Sequence, residues 1–281
     1  MILERGDHMC FLLALAVLVG LWLFLIAPGR SAKAARAPFA GRAFAHRGLY
    51  ELDQSVPENS LEAFRRAVAA GYGAELDVQR TRDGQIVVFH DDSMKRACGV
   101  DKAIRDFTFE ELQAFPLFGT EARIPLFSEV LRIFAGKQPL IVELKYGPDW
   151  ELLSEATRRM LDEYQGPACV ESFHPAMVRW FRRHDPQRLR GQLSEAACFS
   201  RQHVKWYLAF AMSRLLSNCL TRPQFIAYRL GPKPLSVRAC EAMGAMKVLW
   251  TAREIGDHGR HMQENDAVIF EGYRPREGKA E

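Results

Sequence analysis

The sequence predicts an α/β chain: a (β/α)8 barrel with an inserted hairpin after its second strand, preceded by an N-terminal transmembrane helix. Three observations predict it. Short apolar, strand-like runs alternate with segments of helical period from Phe44 to Phe270, the pattern of a parallel α/β sheet. The chain has 281 residues, and about 250 residues beyond the first apolar segment is the usual size of one such barrel. Polar residues fall at the ends of the predicted strands, where barrel strands carry their chemistry.

The first nine residues form a short tail. Cys10 to Ala27 is an uncharged run, CFLLALAVLVGLWLFLIA, stopped by Pro28-Gly29. It is long enough to cross a bilayer core as a helix, so residues 10–28 read as an uncleaved anchor. A signal peptide is the rival reading. Against it stand the length of the run and the non-basic residues before it, Glu4 and Asp7 beside Arg5, although Ala32-Lys33-Ala34 has the look of a weak cleavage site. Arg30, Lys33, Arg36 and Arg42 follow the span and Arg5 alone precedes it. The positive-inside rule then places the large domain on the cytoplasmic side of a cell membrane. Residues 29–40 are a small basic linker, and 41–281 form the globular domain.

Phe44-Ala45 is the first strand and ends in His46-Arg47-Gly48. Ser60 caps a helix over Leu61–Ala70, in which Leu61, Phe64 and Val68 share a face. Gly71 and Gly73 end it. The next strand reads Ala74-Glu75-Leu76-Asp77-Val78. Strand side chains alternate, so Glu75 and Asp77 point the same way. Two acids on a buried strand face call for a cation between them. Thr81-Arg82-Asp83-Gly84 reads as a tight turn, and Ile86–Phe89 runs back to deliver His90-Asp91. A carboxylate pair folded toward a histidine points to metal-assisted hydrolysis.

Helices and strands then alternate to the end. Thr108 caps a short helix with Leu112, and Ser128–Ala135 is another helix. Leu140–Leu144 is a strand running into Lys145. Further strands are expected at Ala168–Ser172, Leu189–Leu193, Phe225–Tyr228, Lys247–Trp250 and Ala267–Phe270. Helices fall at Trp150–Tyr164, Pro175–Arg183 (proline suits a first helical position) and Ser236–Met243, and a polar helix runs to about Gln263. Between two of the strands lies an apolar insert, Val204 to Leu220, flanked or interrupted by Arg201, Lys205, Arg214 and Arg222. It reads either as an amphipathic helix in the headgroup region, with Trp206 and Tyr207 at the interface, or as an ordinary outer helix of the barrel.

A mild net charge of +4 without basic runs interleaved with aromatics gives no case for a nucleic-acid partner. The six cysteines (Cys10, Cys98, Cys169, Cys198, Cys219, Cys240) have no zinc-ligand spacing and fit a reducing compartment.

Several segments, taken in order, resemble the glycerophosphodiester phosphodiesterase family. They are Ala45-His46-Arg47-Gly48, Pro57-Glu58-Asn59-Ser60, Glu75-Leu76-Asp77-Val78, Thr81 through Gly84, Val88-Phe89-His90-Asp91, Glu143-Leu144-Lys145, Ser172-Phe173 and Trp250-Thr251. The resemblance spans Phe44 to Pro275. It implies a TIM-barrel fold, a divalent cation (Mg2+ or Ca2+), and cleavage of glycerophosphodiesters to glycerol 3-phosphate and an alcohol. Many members end their last strand with Asp-Tyr/Phe-Pro. Here that segment is Phe270-Glu271-Gly272-Tyr273-Arg274-Pro275, a departure that bears on the last loop.

The resemblance implies oxygen ligands from Glu75, Asp77 and Glu143, the donors that hard cations prefer. It singles out His46 and His90 as the acid–base pair, while His8, His174, His184, His203, His258 and His261 read as structural or surface residues. Which histidine is the base stays open, as does whether water or the substrate's neighbouring hydroxyl is the nucleophile. Arg47 and Lys145 stand beside the carboxylates and can offset phosphate charge in the transition state. Glu58 belongs to the site as a metal ligand or as a partner orienting His or Arg. Phe173 is a site wall, and Trp250 packs on the glycerol or alcohol moiety.

The expected activity is therefore metal-dependent hydrolysis of glycerophosphodiesters. The alternative is lysophospholipase D-like hydrolysis of a lysophospholipid or other membrane lipid, should the insert touch the bilayer. A catalytically silent module that binds phosphorylated headgroups is the reading from another class. Both histidines and all three acids are present, which argues against it.

Overall fold

The computed structural model describes residues 2–196 and 205–275, with side chains from His8 onward. Cys198, Arg201, His203, Val204, residues 276–281 of the expected domain and the side chains of Glu4, Arg5 and Asp7 lie outside the described residues. The chain begins with α1 (Ile2–Ile26), α2 (Lys33–Arg36), β1 (Arg42–His46), α3 (Leu61–Ala69), β2 (Gly73–Arg80) and β3 (Ile86–Val88). It continues with α4 (Lys95–Cys98), α5 (Phe109–Leu112), α6 (Phe127–Phe134), β4 (Leu140–Leu144), α7 (Trp150–Glu163), β5 (Ala168–Ser172), α8 (Pro175–His184) and β6 (Arg190–Ser194). The last elements are α9 (Trp206–Ser213), α10 (Asn218–Thr221), β7 (Phe225–Arg229), α11 (Leu235–Ala242), β8 (Met246–Ala252), α12 (His258–Glu264) and β9 (Ala267–Phe270).

β1 pairs in parallel with both β2 and β9, and this closes an eight-stranded parallel TIM barrel of β1, β2 and β4 to β9. Strand alternation sorts the side chains into two cores. Leu76, Val78, Val142, Leu144, Val170 and Phe270 point outward and pack with the helices, among them Phe64 of α3 and Phe134 of α6. Phe44, Ile141, Cys169, Phe225, Val248 and Ile269 point inward and fill the barrel. The capping expected of Ser60 is present: its Oγ accepts from Ala63 N at 3.2 Å.

β3 runs antiparallel to β2, with Val88 opposite Val78 and Ile86 opposite Arg80. The turn between them is closed by Gly84 N donating to Thr81 O at 3.0 Å. Gly84 has φ 88° there, a conformation that glycine adopts without the Cβ penalty. The stretch beyond β3 is more than the arm of a hairpin. Val87, Met94, Ile104, Leu112, Leu117 and Ile124 form a separate small core, so the segment up to Leu126 packs as a unit beside the barrel mouth.

Three boundaries differ from those expected. The first helix starts at Ile2 rather than Cys10, so residues 2–9 continue the helix and are not a separate tail. The segment 29–40 is not a free linker: α2 forms within it, and Phe39 is buried and stacks on Phe44 with ring centroids 6.2 Å apart. Over its described residues, 205–220, the apolar insert is not one amphipathic helix. It breaks between α9 and α10, with Leu215 at φ 58°. Leu215 turns inward to pack with Ile26 of α1, which a continuous helix could not achieve.

Among the described residues, α1 is packed at its C-terminal end. Ile26 is fully buried among Leu215, Ile226, Tyr228, Val237, Cys240 and Ala245, with Trp22 packed against them. Its last carbonyls would otherwise lack partners. Arg222 NH1 donates to the carbonyls of Phe24 and Ala27 at 2.9 Å each, and Asn218 Nδ2 donates to that of Ile26 at 3.0 Å. These contacts sit at the N-terminal ends of β7 and β8, the foot of the barrel.

Candidate active site

The strand register assembles the polar residues at the opposite, C-terminal end. His46 on β1 is level with Glu75 on β2. Asp77 on β2 is level with Glu143 on β4, and Glu143 with Glu171 on β5. Because strand alternation gives each of these acids an inward position, four carboxylates converge in the barrel mouth. All four are buried.

Glu75, Asp77 and Glu143 each offer a carboxylate oxygen within 4.8 Å of the others. Burial and the neighbouring charges of Asp77, Glu143 and Glu171 push Glu75 well above the usual carboxylate range. Glu171 is raised likewise, by burial and then by Glu143 and Asp77, and its Oε2 has no hydrogen-bond partner. Asp77 goes the other way. Burial would raise it, but Lys145, His90 and Arg47 hold it ionised.

Two cations share this ground. Lys145 Nζ bridges Asp77 Oδ1 and Glu143 Oε1, at 2.8 Å each. Arg47 reaches Glu58 Oε1 through NH1 at 2.7 Å and lies 3.7 Å from Asp77 Oδ2 through Nε. Burial alone would lower both pKa values, but Asp77 with Glu143 for Lys145, and Asp77 with Glu58 for Arg47, keep them raised and charged. Four buried carboxylates converge here on two cations, and the clustered donors are hard oxygens. That donor set fits a divalent cation of the Mg2+ or Ca2+ type. Glu75, Asp77 and Glu143 would hold it.

Both histidines carry a carboxylate on Nδ1. His46 Nδ1 is 2.5 Å from Glu271 Oε2, and its Nε2 faces Glu75 Oε2 at 3.8 Å. Glu271 follows β9 and is held in turn by Arg253 Nε at 2.5 Å and Tyr50 OH at 3.1 Å. Burial lowers the His46 pKa more than Glu271 restores it. The ring is therefore neutral near pH 7, with its proton assigned to Nδ1 by the Glu271 acceptor. Burial would raise Glu271, but His46 and Arg253 pull it down to about 2. His90 Nδ1 lies 2.7 Å from Asp91 Oδ1. The segment is tied to β2 by Phe89 N donating to Asp77 O and by Gln79 Nε2 donating to the Phe89 and Asp91 carbonyls.

Two non-glycine residues of the site have left-handed backbones, Arg47 at φ 56° and Asn59 at φ 55°. This conformation is uncommon outside glycine and is held by surrounding contacts. Asn59 N donates to Arg47 O at 2.8 Å, Arg47 N donates to Glu75 Oε2 at 3.2 Å, and Asn59 Nδ2 donates to Asp77 Oδ2 at 2.9 Å. The strained pair thus locks the loop after β1 onto the two acids of β2.

A cavity of about 160 Å3 opens above the acids, lined among others by His46, Arg47, Glu75, His90, Glu143 and Glu171. Phe173 and Trp250 form one wall, edge to face at 5.6 Å, and Trp250 Nε1 donates to Ala227 O. A larger cleft of about 750 Å3 between Tyr50 and Arg274 contains none of the converging acids.

The structure brings together the ten residues singled out from the sequence, and of the two readings of Glu58 it favours the partner of an arginine over the metal ligand. Glu58 does not line the cavity and is not among the clustered metal-type donors. Both of its oxygens are taken by Arg47 and by Arg96, whose NH1 and NH2 lie 3.1 and 2.7 Å away. Sequence reasoning missed Glu171, Glu271, Asn59 and Arg96. A lone acid within the apolar run of β5 was a usable signal for Glu171, and so was an acid ending the last strand for Glu271. Arg96 gave none, since it reaches the site from the separately packed insert.

The family model described as the Glycerophosphoryl diester phosphodiesterase family matches residues 46–271. A glycerophosphodiester phosphodiesterase of Caldanaerobacter subterraneus subsp. tengcongensis is 30% identical over 242 residues, 80% of this chain and 91% of that one. Lysophospholipase D GDPD1 of Rattus norvegicus is 33% identical over 141 residues, 46% of this chain and 44% of that one. An Oleispira antarctica phosphodiesterase solved in complex with the product sn-glycerol-3-phosphate superposes with a TM-score of 0.67 at 21% identity, over 85% of this chain and 96% of that chain. At that identity the likeness is one of fold.

Proposed function

This chain belongs to the glycerophosphoryl diester phosphodiesterase family, and from that premise we propose that it hydrolyses soluble glycerophosphodiesters to glycerol 3-phosphate and an alcohol. The observation that carries the reading is the facing of His46 Nε2 onto the Glu75–Asp77–Glu143 cluster across a small cavity. A divalent cation bound there supplies Lewis-acid polarisation of the phosphate.

The chain's own residues supply the rest. His46, neutral and donating its Nδ1–H to Glu271, presents a free Nε2 lone pair and takes a proton from the attacking water, whose oxygen bonds to phosphorus as the P–O bond to the alcohol breaks. His90, oriented by Asp91, faces the same cavity and protonates the leaving alkoxide. Arg47 meets the phosphate's negative charge from the cavity side. Lys145 bridges Asp77 and Glu143 and helps to hold Asp77 ionised. Phe173 and Trp250 wall the glycerol side.

α1 serves as a retained membrane anchor. Its span His8–Ile26 is almost entirely exposed along its apolar length. Its last turn is part of the barrel's packing, and removing it would uncover Leu215 and Val237. This supports an anchor over a cleaved signal sequence. The basic residues after the span support a cytoplasmic-facing barrel.

A second reading, hydrolysis of lysophospholipids, is favoured by the named activity of the Rattus norvegicus relative and by the exposed Trp206, Tyr207 and Phe210 of α9. The position of the anchor speaks for the soluble substrate: α1 joins the foot of the barrel, and the cavity opens at the other end of the strands. Glycerol 3-phosphate release from glycerophosphocholine by the full-length protein, with Mg2+, with Ca2+ and with chelator, tests the proposal. Divalent-dependent release is expected. Activity confined to lysolipid vesicles would replace it with the second reading.

A further inference from the structure

Where α1 hands over to the basic segment, an open groove of about 600 Å3 lies at the foot of the barrel. Arg30, Arg36 and Arg222 line it, and none of its lining residues is acidic. The guanidinium contacts there are to neutral groups. Arg36 Nε donates to Ser31 Oγ at 2.5 Å, and Arg222 NH1 is spent on the Phe24 and Ala27 carbonyls. Arg30 is exposed, and its carbonyl accepts from Gln224 Nε2 at 3.3 Å.

Positive charge accumulates behind the groove as well. Arg190 NH2 donates to Arg222 O at 3.1 Å. Burial and the neighbouring Arg182 lower the Arg190 pKa to about 10, with Asp185 as the opposing acid.

Depth and polarity both point to one kind of ligand. The apolar span ends at Ile26, and the groove starts at Ala27, the level at which a spanning helix meets phospholipid headgroups. Just above it the exposed Phe24 ring lies under the Arg222 guanidinium, 4.7 Å from its centre. Exposed Leu220 belongs to the same α10 segment, and Met243 lines the groove itself. A basic slot with apolar surface on its bilayer side matches a headgroup phosphate with its acyl chains, and the guanidinium fork matches phosphate oxygens.

We propose that this groove holds the phosphate of an anionic phospholipid from the leaflet in which α1 ends. The inference rests on α1 crossing the membrane. It adds a binding site remote from the catalytic mouth, with a structural consequence: the lipid clamps the foot of the barrel to the bilayer and keeps the mouth turned to water.

The test uses the full-length protein in nanodiscs of equal chain length, made from phosphatidylglycerol with phosphatidylcholine, and compares it with an Arg30→Gln/Arg36→Gln variant. Neither residue caps α1 or touches the cavity. Native mass spectrometry reads the lipid retained after release. Wild type should retain phosphatidylglycerol about tenfold over phosphatidylcholine. The variant should lose that preference while turning over glycerophosphocholine at the wild-type rate. Equal retention by both proteins overturns the proposal. So does millimolar inorganic phosphate displacing the retained lipid with the same arginine dependence, which makes the groove a free-anion site. Extraction of the wild type from membranes by alkaline carbonate defeats the anchor, and the lipid site with it, whatever the activity on the soluble substrate.

Discussion

His46 Nδ1 lies 2.5 Å from Glu271 Oε2, although the two residues are 225 positions apart in the chain. They meet because β1 and β9 are neighbours in the closed barrel. Glu271 fixes the imidazole so that Nε2, the nitrogen facing the acid cluster, is the unprotonated one. Replacing Glu271 by Gln keeps the volume and removes the charge that selects this tautomer. The Glu271→Gln variant should lose about 10²–10⁴ in kcat, the usual worth of a positioned base, with KM changed much less. Steady-state kinetics on glycerophosphocholine decide it, and a kcat within twofold of wild type would remove Glu271 from the account.

The same carboxylate makes a prediction about acid stability. Its folded pKa of about 2 lies below the ordinary value of 4.5. A depressed carboxylate pKa stabilises the fold fully above the unfolded value and loses that contribution as pH falls from 4.5 through about 2. The contribution is about 2 kcal/mol for a shift of this size in a mostly buried group. Denaturant melts between pH 6 and pH 2 should show wild type and Glu271→Gln converging as the pH drops, and parallel curves would contradict the assignment.

Arg96 ties the second histidine to the first cation. Its guanidinium binds Asp91, the partner of His90, and Glu58, the partner of Arg47. Arg96→Ala should leave Glu58 paired to Arg47 but free His90 to turn. The expected result is a fall in kcat of about tenfold with little change in KM, rescued in part by Arg96→Lys. A rise in KM with kcat unchanged would show that Arg96 touches the substrate instead.

The last turn of α1 is part of the fold's packing. Ile26 is fully buried against the barrel, and truncating such a side chain costs about 2–5 kcal/mol. Ile26→Ala should therefore lower the melting temperature in detergent, whereas Leu23→Ala, on the exposed side of the same helix, should not. Equal melts for both variants would mean that α1 is tethered rather than docked. A fragment starting at Gly41 would lose both Ile26 and Phe39 from the packing.

Much of this was legible along the chain. Glu75 and Asp77 declare themselves because a strand of period two puts them on one face between apolar neighbours. His46, His90, Glu143 and Lys145 announce themselves by standing where apolar runs stop. What escaped depends on closure and on insertion. The role of Glu271 is defined by a partner at the far end of the sequence. Glu171 gains its meaning from the register that sets it level with Glu143. Glu58 looked like a site acid and proved to be the hub of two arginines, one of them on a segment whose packing no periodicity reveals. The break at Leu215 was hidden in the same way, because an apolar run does not state which of its residues will turn inward.

The most direct test of the central claim is the rate of glycerol 3-phosphate release by His46→Ala, measured beside Mg2+ and Ca2+ binding by calorimetry on the same protein. Turnover should fall by about 10² or more while cation affinity stays near that of the wild type, since His46 faces the acid cluster without belonging to it. Undiminished turnover, or loss of cation binding together with activity, would contradict the assignment of His46 as the base.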